Sequence, residues 1–276
     1  MKETPAWLAS LRQAGFLPYV ATSRHLLPSL ELEPGGVPAR VFLLEEEADQ
    51  PFHEAYLLSN SLSFHSPDIK MPNWVLIDCA LMQTAVVGFM KARVELPEEF
   101  LAAYRADPRV DLDRLDYLPI SGQIASPGID GKSLVGFSLF SLARQVGAAA
   151  ANLGLYTKAL ALEVYRAARF EWFYGITQYD NPALKIHGRF GAEMEIAKPI
   201  LPLHPRREMA FVYRMRPAPL AENPPAREPS FWLAADDAAA KRAMQDGIAA
   251  GKRYVILPPF AVARGGRTEL PILEIP

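Results

Sequence analysis

The stretch from residue 149 to residue 191 constrains this chain most, because its patterning changes three times without a break. It begins with small residues, Ala149-Ala150-Ala151-Asn152-Leu153-Gly154. Leu160, Ala161, Val164, Tyr165 and Ala168 then recur at helical spacing, while Lys158, Glu163, Arg166 and Arg169 leave the other side polar. Phe170, Trp172, Tyr174 and Ile176 alternate as a strand does. Asp180-Asn181-Pro182 opens a further helix, with Asn181 suited to the N-cap and Pro182 to the first helical position. Gly191 can close that helix in the left-handed conformation.

The flanking sequence adds strands on the N-terminal side. A helix is predicted over Pro5 to Gly15, strands over Leu17 to Thr22 and Ala39 to Leu44, and an amphipathic helix over Phe52 to Phe64. Trp74 to Met82 and Thr84 to Ala92 read as a hairpin, and Pro97 to Asp107 as a helix opened by Pro-Glu-Glu. Tyr117 to Ala125 and Ser133 to Arg144 are expected as strands around the turn at Pro127-Gly128. Glu193 to Pro199 and Met209 to Met215 should form an antiparallel pair. A Pro-rich linker follows, then a helix over Ala234 to Ala250 and a strand over Arg253 to Leu257. These elements predict an α/β (α+β) fold with a mixed, mainly antiparallel central sheet flanked by helices. The expected division is an N-terminal extension over 1–38, a main domain over 39–215 and a C-terminal extension over 216–276.

Composition narrows the ligand. The 276 residues are 50% hydrophobic and 22% charged, enough to bury a sizeable core. The net charge of −2 gives no basic excess for nucleic acid, so an anionic ligand would have to be held locally. Cys79, the single cysteine, lies in an apolar run and reads as a core residue. The polar start lacks a signal-peptide core, and no apolar stretch reaches the roughly 20 residues of a membrane span. A soluble cytoplasmic protein is expected, with no membrane partner.

Local holding of an anion is what the turn at 149–158 offers. Small side chains let a backbone approach a ligand, and a helix N-terminus presents free N–H groups with a partial positive charge. Together they can cradle a phosphate or pyrophosphate. The turn is neither a Walker loop nor a GxGxxG fingerprint. Its order is more specific. Strand, small-residue turn, helix, strand, Asn-Pro and a helix ending in Phe-Gly resembles the acyl-CoA core of the GNAT superfamily of N-acyltransferases, over about residues 74–215.

In that superfamily the pattern Arg/Gln-x-x-Gly-x-Gly/Ala cradles the pyrophosphate. The matching stretch here is Ala151-Asn152-Leu153-Gly154-Leu155-Tyr156, in which Gly154 keeps the middle glycine. Ala151 stands for the usual Arg/Gln and Tyr156 for the small last residue. The resemblance therefore implies a fold of acyl-CoA N-acyltransferase type. It implies acetyl-CoA or another acyl-CoA held by Asn152, Leu153, Gly154, Leu155, Tyr156 and Thr157, with Asn181 on the pantetheine arm. It also implies transfer of the acyl group to an amine. Asn181 to Gly191 resembles the superfamily's Asn-x-x-Ala-x-x-Leu-Tyr-x-x-x-Gly-Phe helix, which places His187 where a Tyr often protonates the departing thiolate. Tyr179 is a rival donor.

An amine nucleophile also needs a route for one proton. Asp78 interrupts an apolar strand and is the main candidate, beside Asp130 and Glu171. His53, His65 and His204 form no metal-ligand spacing, so no metal is expected. The acceptor would be a small molecule or a protein amine, with a homodimer left open. Two other readings stay beside this one. The departures at Ala151 and Tyr156 suit a non-catalytic ligand-binding or interaction module on the same fold. Lys132 or Lys158 could instead serve a decarboxylase or lyase.

Overall fold

In the computed structural model of the protein, Gly15 takes φ +82° and turns the chain from helix α1 (Ala6–Gln13) into strand β1 (Phe16–Thr22). The structure describes residues 4–30, 33, 38–64, 85–147, 151–179, 181, 183–196, 210–220, 227–234, 236–258, 260 and 262–276. The predicted strand at 74–82 lies outside them. The chain divides into two compact units, residues 1–170 and 171–276. Each is α/β, with a largely antiparallel sheet flanked by helices.

In the first unit β1 lies between β2 (Arg40–Leu43) and β3 (Ala85–Ala92), parallel to β2 and antiparallel to β3. Antiparallel pairings then add β4 (Tyr117–Pro127) and β5 (Ser133–Ser141). Residues 16–22, expected in an extension, are thus an inner strand. Pro18 is tolerated there because pairing with β2 begins only at Tyr19. Side chains of successive strand residues point to opposite faces. Tyr19, Gly88, Gly122 and Phe140 align across four strands, and on their face Tyr56 of α2 (Gln50–Ser63) meets the Phe140 ring at 5.3 Å. The two glycines leave the space that the Tyr19 hydroxyl crosses to donate to the Ser121 carbonyl at 2.9 Å. Ser121 and Gln123 point the other way. Helix α3 (Glu98–Arg105) precedes β4, and the short α4 (Ala143–Val146) takes over where β5 stops, three residues before the predicted end of that strand.

Helix α5 (Leu153–Ala167) covers the Ser121 and Gln123 face, packing on β3, β4 and β5. It starts at Leu153, inside the stretch 149–158 that the sequence reads as a turn. The buried side chains explain the difference. Leu153, Thr157, Leu160, Ala161 and Val164 are all fully buried and share one face at helical spacing, so the core stripe reaches back to Leu153. Lys158, expected on the polar side, is fully buried with them.

In the second unit β6 (Trp172–Gln178) leads into α6 (Leu184–Gly188), β7 (Glu193–Ile196) and β8 (Ala210–Met215). The C-terminal residues add β9 (Phe231–Ala234), α7 (Ala238–Ala249), β10 (Arg253–Ile256), β11 (Val262–Arg264) and β12 (Arg267–Ile275). The strand order is β6-β8-β7-β10-β12-β11, every pair antiparallel, with β9 also on β12. Residues 231–275, expected as an appended extension, thus complete the sheet that β6 begins. The helix predicted from Ala234 begins at Ala238, because the Asp237 carboxylate caps it by accepting from the Ala240 N–H at 2.9 Å. Phe173, Gly175 and Thr177 of β6 share a buried face with Met215, Tyr213 and Phe211 of β8.

Candidate functional site

The turn singled out in the sequence becomes the N-terminal end of α5. Asn152 holds the left-handed conformation, φ +64°, and no side chain caps the helix. The first intrahelical bond is donated by the Tyr156 N–H to the Asn152 carbonyl at 3.1 Å. The N–H groups of Leu153, Gly154 and Leu155 therefore lack an intrahelical acceptor. Ala151 and Asn152 are exposed and Gly154 and Leu155 half-buried, so solvent reaches this end.

The expected cradle residues divide into two sets. Leu153 and Thr157 are fully buried and anchor the turn from below. The Thr157 hydroxyl donates to the Leu153 carbonyl at 2.7 Å and lies 2.6 Å from the Ser121 hydroxyl, which also accepts from the Phe89 N–H at 3.3 Å. Beside it the Lys158 amine donates to the Gln123 side-chain carbonyl at 3.4 Å. Gln123 in turn donates to the backbone carbonyls of Ser138, at 2.8 Å, and Ile124, at 3.0 Å. Burial holds the Lys158 amine well below its usual proton affinity. Tyr156 is accounted for differently: its ring stacks on Trp7 of α1, centroids 5.2 Å apart and planes 4° from parallel.

In the second unit Asn181 forms an Asx turn ahead of α6 rather than capping it: the helix starts at Leu184, after Ala183, and no side chain caps it. Its side-chain carbonyl accepts from the Ala183 N–H at 2.8 Å, and its backbone carbonyl from the Leu184 N–H at 3.0 Å. Gly191 ends the following turns at φ +68°. The structure brings His187 and Tyr179 onto one face of β8. His187 stacks on Tyr213 at 4.5 Å and Tyr179 packs on Phe211 at 4.9 Å, two residues away on the strand. Both donors are buried. Burial raises the Tyr179 phenol well above its usual range, so it stays protonated and is a weaker acid than a free phenol. The Lys241 amine of α7 lies 5.2 Å from the centre of the Tyr179 ring.

Sequence reasoning missed Trp7 and Lys241, whose contacts come from elements remote in the chain. Asp78, His65, His204 and Arg206-Arg207 lie outside the described residues. Arg214 and Arg216 stand over Trp172 at 4.4 and 4.3 Å, and Arg214 also pairs with Glu193 and Glu195. His53 lies 3.2 Å from the Leu43 carbonyl, a contact that ties α2 to β2. Among the described residues no group of side chains could hold a metal, and no helix is long and apolar enough to cross a membrane.

No protein-family model matches the chain, and no curated protein matches it in sequence. A comparison of structures finds similar solved structures at low sequence identity. One is the NatC complex bound to Gag peptide and CoA, at 10% identity over 62% of this chain and 94% of the other, TM-score 0.41. A candidate N-acetyltransferase from Lactobacillus plantarum is similar at 12% identity over 73% of this chain and 99% of its own, TM-score 0.40. YncA of Salmonella typhimurium, a candidate acetyltransferase with its cofactor acetyl-CoA, is similar at 13% identity over 66% and 95%, TM-score 0.40.

Proposed function

We propose that this chain is an acyl-CoA-dependent N-acyltransferase, with acetyl-CoA as the donor. The observation that carries the reading is the open first turn of α5. Three N–H groups without intrahelical acceptors stand at the end of a 15-residue helix, beside Gly154, on an accessible surface. A pyrophosphate suits such an end, since aligned peptide dipoles and N–H donors stabilise it without basic side chains. This fits a chain with net charge −2.

The chemistry would be direct transfer. The amine nitrogen attacks the thioester carbonyl, the C–S bond breaks, the thiolate takes up a proton and the new ammonium gives one away. Tyr179 and His187 are the donors assigned to the thiolate, and Asn181 to the pantetheine arm. Asp78 is the residue assigned to carry the amine's proton away. The support for Tyr179 is its place beside His187 on one face of β8.

Calorimetric titration of the full chain with acetyl-CoA and with CoA tests the reading, followed by thiol release across a panel of amines. Binding of both ligands with turnover is expected. Absence of binding at millimolar ligand overturns the proposal, and binding without turnover on any amine leaves a ligand-binding module.

A further inference from the structure

A second concave site lies within the second unit. The end of α6 and the turn after it (Gly188, Arg189, Phe190), Arg227 and residues Val255 to Pro258 at the end of β10 line an open cavity of about 330 Å³. That is within the size range of small-molecule pockets. Phe190, Ile256 and Leu257 are buried, so the apolar lining belongs to the core and is fixed by it. Phe260 fixes the turn from behind: its ring occupies the space that a side chain at Gly188 would need.

The charges on this cavity have one sign. Among the described residues that line it, the charged side chains are Arg189 and Arg227. Elsewhere in the same unit arginines meet carboxylates: Arg253 pairs with Glu193, Arg214 with Glu193 and Glu195, and Arg267 with Asp236. Among the described residues neither Arg189 nor Arg227 makes such a pair. Two guanidinium groups beside an apolar lining complement a ligand with an anionic head and a hydrocarbon body.

We propose that this cavity is a binding site for a small amphiphilic anion, its carboxylate or phosphate head held by Arg189 and Arg227 and its apolar body laid on Phe190, Ile256 and Leu257. The site does not depend on the acyl-CoA reading, which concerns the first turn of α5.

Octanoate, octyl phosphate and octylamine are suitable probes, titrated calorimetrically into the full chain. Octanoate or octyl phosphate should bind and octylamine should not. Whichever anion binds more tightly names the head group. The double variant Arg189→Gln/Arg227→Gln should weaken the anion at least about tenfold, the effect of losing one charge-assisted contact. Both side chains reach solvent, so the variant should keep the parent melting temperature. Ala218→Trp, which fills the cavity without touching either charge, should also abolish binding. Equal binding of octylamine, no binding of either anion at millimolar concentration, or unchanged affinity in the double variant would each overturn the assignment.

Discussion

The indole of Trp7 and the phenol ring of Tyr156 stack 5.2 Å apart, 4° from parallel, and so tie the first helix of the chain to the first turn of α5. Trp7 also meets Phe89 of β3 edge-on at 6.4 Å. The bulky residue that departs from a small-residue cradle thus has a packing role. Such aromatic pairs contribute about 0.5–1.5 kcal/mol beyond their buried area. A double-mutant cycle with Trp7→Leu and Tyr156→Leu, read by urea unfolding, should return a coupling in that range. Tyr156→Phe should leave stability and CoA affinity unchanged, because it keeps the ring.

A carboxylate in the first turn separates ligand binding from folding. Gly154→Asp places a negative charge where the helix end favours one and removes a flexible residue, so the melting temperature should hold or rise. The same charge repels a pyrophosphate. CoA affinity should fall at least about tenfold, equivalent to about 1.4 kcal/mol, by calorimetry. Equal affinity in variant and parent would remove α5 from the binding site.

Lys158 makes stability depend on pH in a defined direction. Its folded proton affinity is lowered from the ordinary 10.5, chiefly by burial. The unfolded chain therefore binds a proton that the folded chain does not. Stability is full above the unfolded value and is lost as pH falls below about 10.5 toward the folded one. Within that window the slope approaches about 1.4 kcal/mol per pH unit. Melting curves of Lys158→Met should lack this component. The gap between variant and parent should widen from pH 10 down to pH 8, and a constant gap would contradict the assignment.

Gly88 and Gly122 pair across β3 and β4, and a methyl at Gly88 would overlap the Ser121 carbonyl and the Tyr19 hydroxyl. Gly88→Ala should cost about 1–3 kcal/mol, the usual penalty of overpacking a close contact, seen as a lower urea midpoint. Tyr19→Phe in that background should recover little, since the backbone carbonyl remains in the way.

Tyr179→Phe preserves the contact with Phe211 and the ring under Lys241 while removing the hydroxyl. If Tyr179 protonates the thiolate, kcat should fall about 100-fold with KM for acetyl-CoA unchanged. His187→Gln is the parallel measurement. A small effect of the first and a large one of the second would move the role to His187.

The local elements were legible because each is set by near neighbours in the chain. The strand at β6, the stripe of α2 and the Asn181 turn are such cases, although β6 buries Phe173, Gly175 and Thr177 rather than the alternating Trp172, Tyr174 and Ile176. Of the C-terminal strands only β10 was read; β9, β11 and β12 were not, although Gly265-Gly266, at φ +56° and +81°, forms the two-residue turn between β11 and β12 that marks a hairpin. Pro271 hid the strand after it. It is accommodated at the limit of the β10 pairing, where its carbonyl accepts from the Leu257 N–H at 2.9 Å.

The sequence alone determined that small residues around Gly154 lead into a helix and that Asn181 makes a turn, since periodicity and Asx turns are short-range properties. Only the tertiary structure decided that Lys158 is buried on Gln123, that Tyr156 rests on Trp7 and that Lys241 faces Tyr179. Those pairs join residues far apart in the chain. Their energies depend on which surfaces the sheets exclude from water, and no local pattern specifies that.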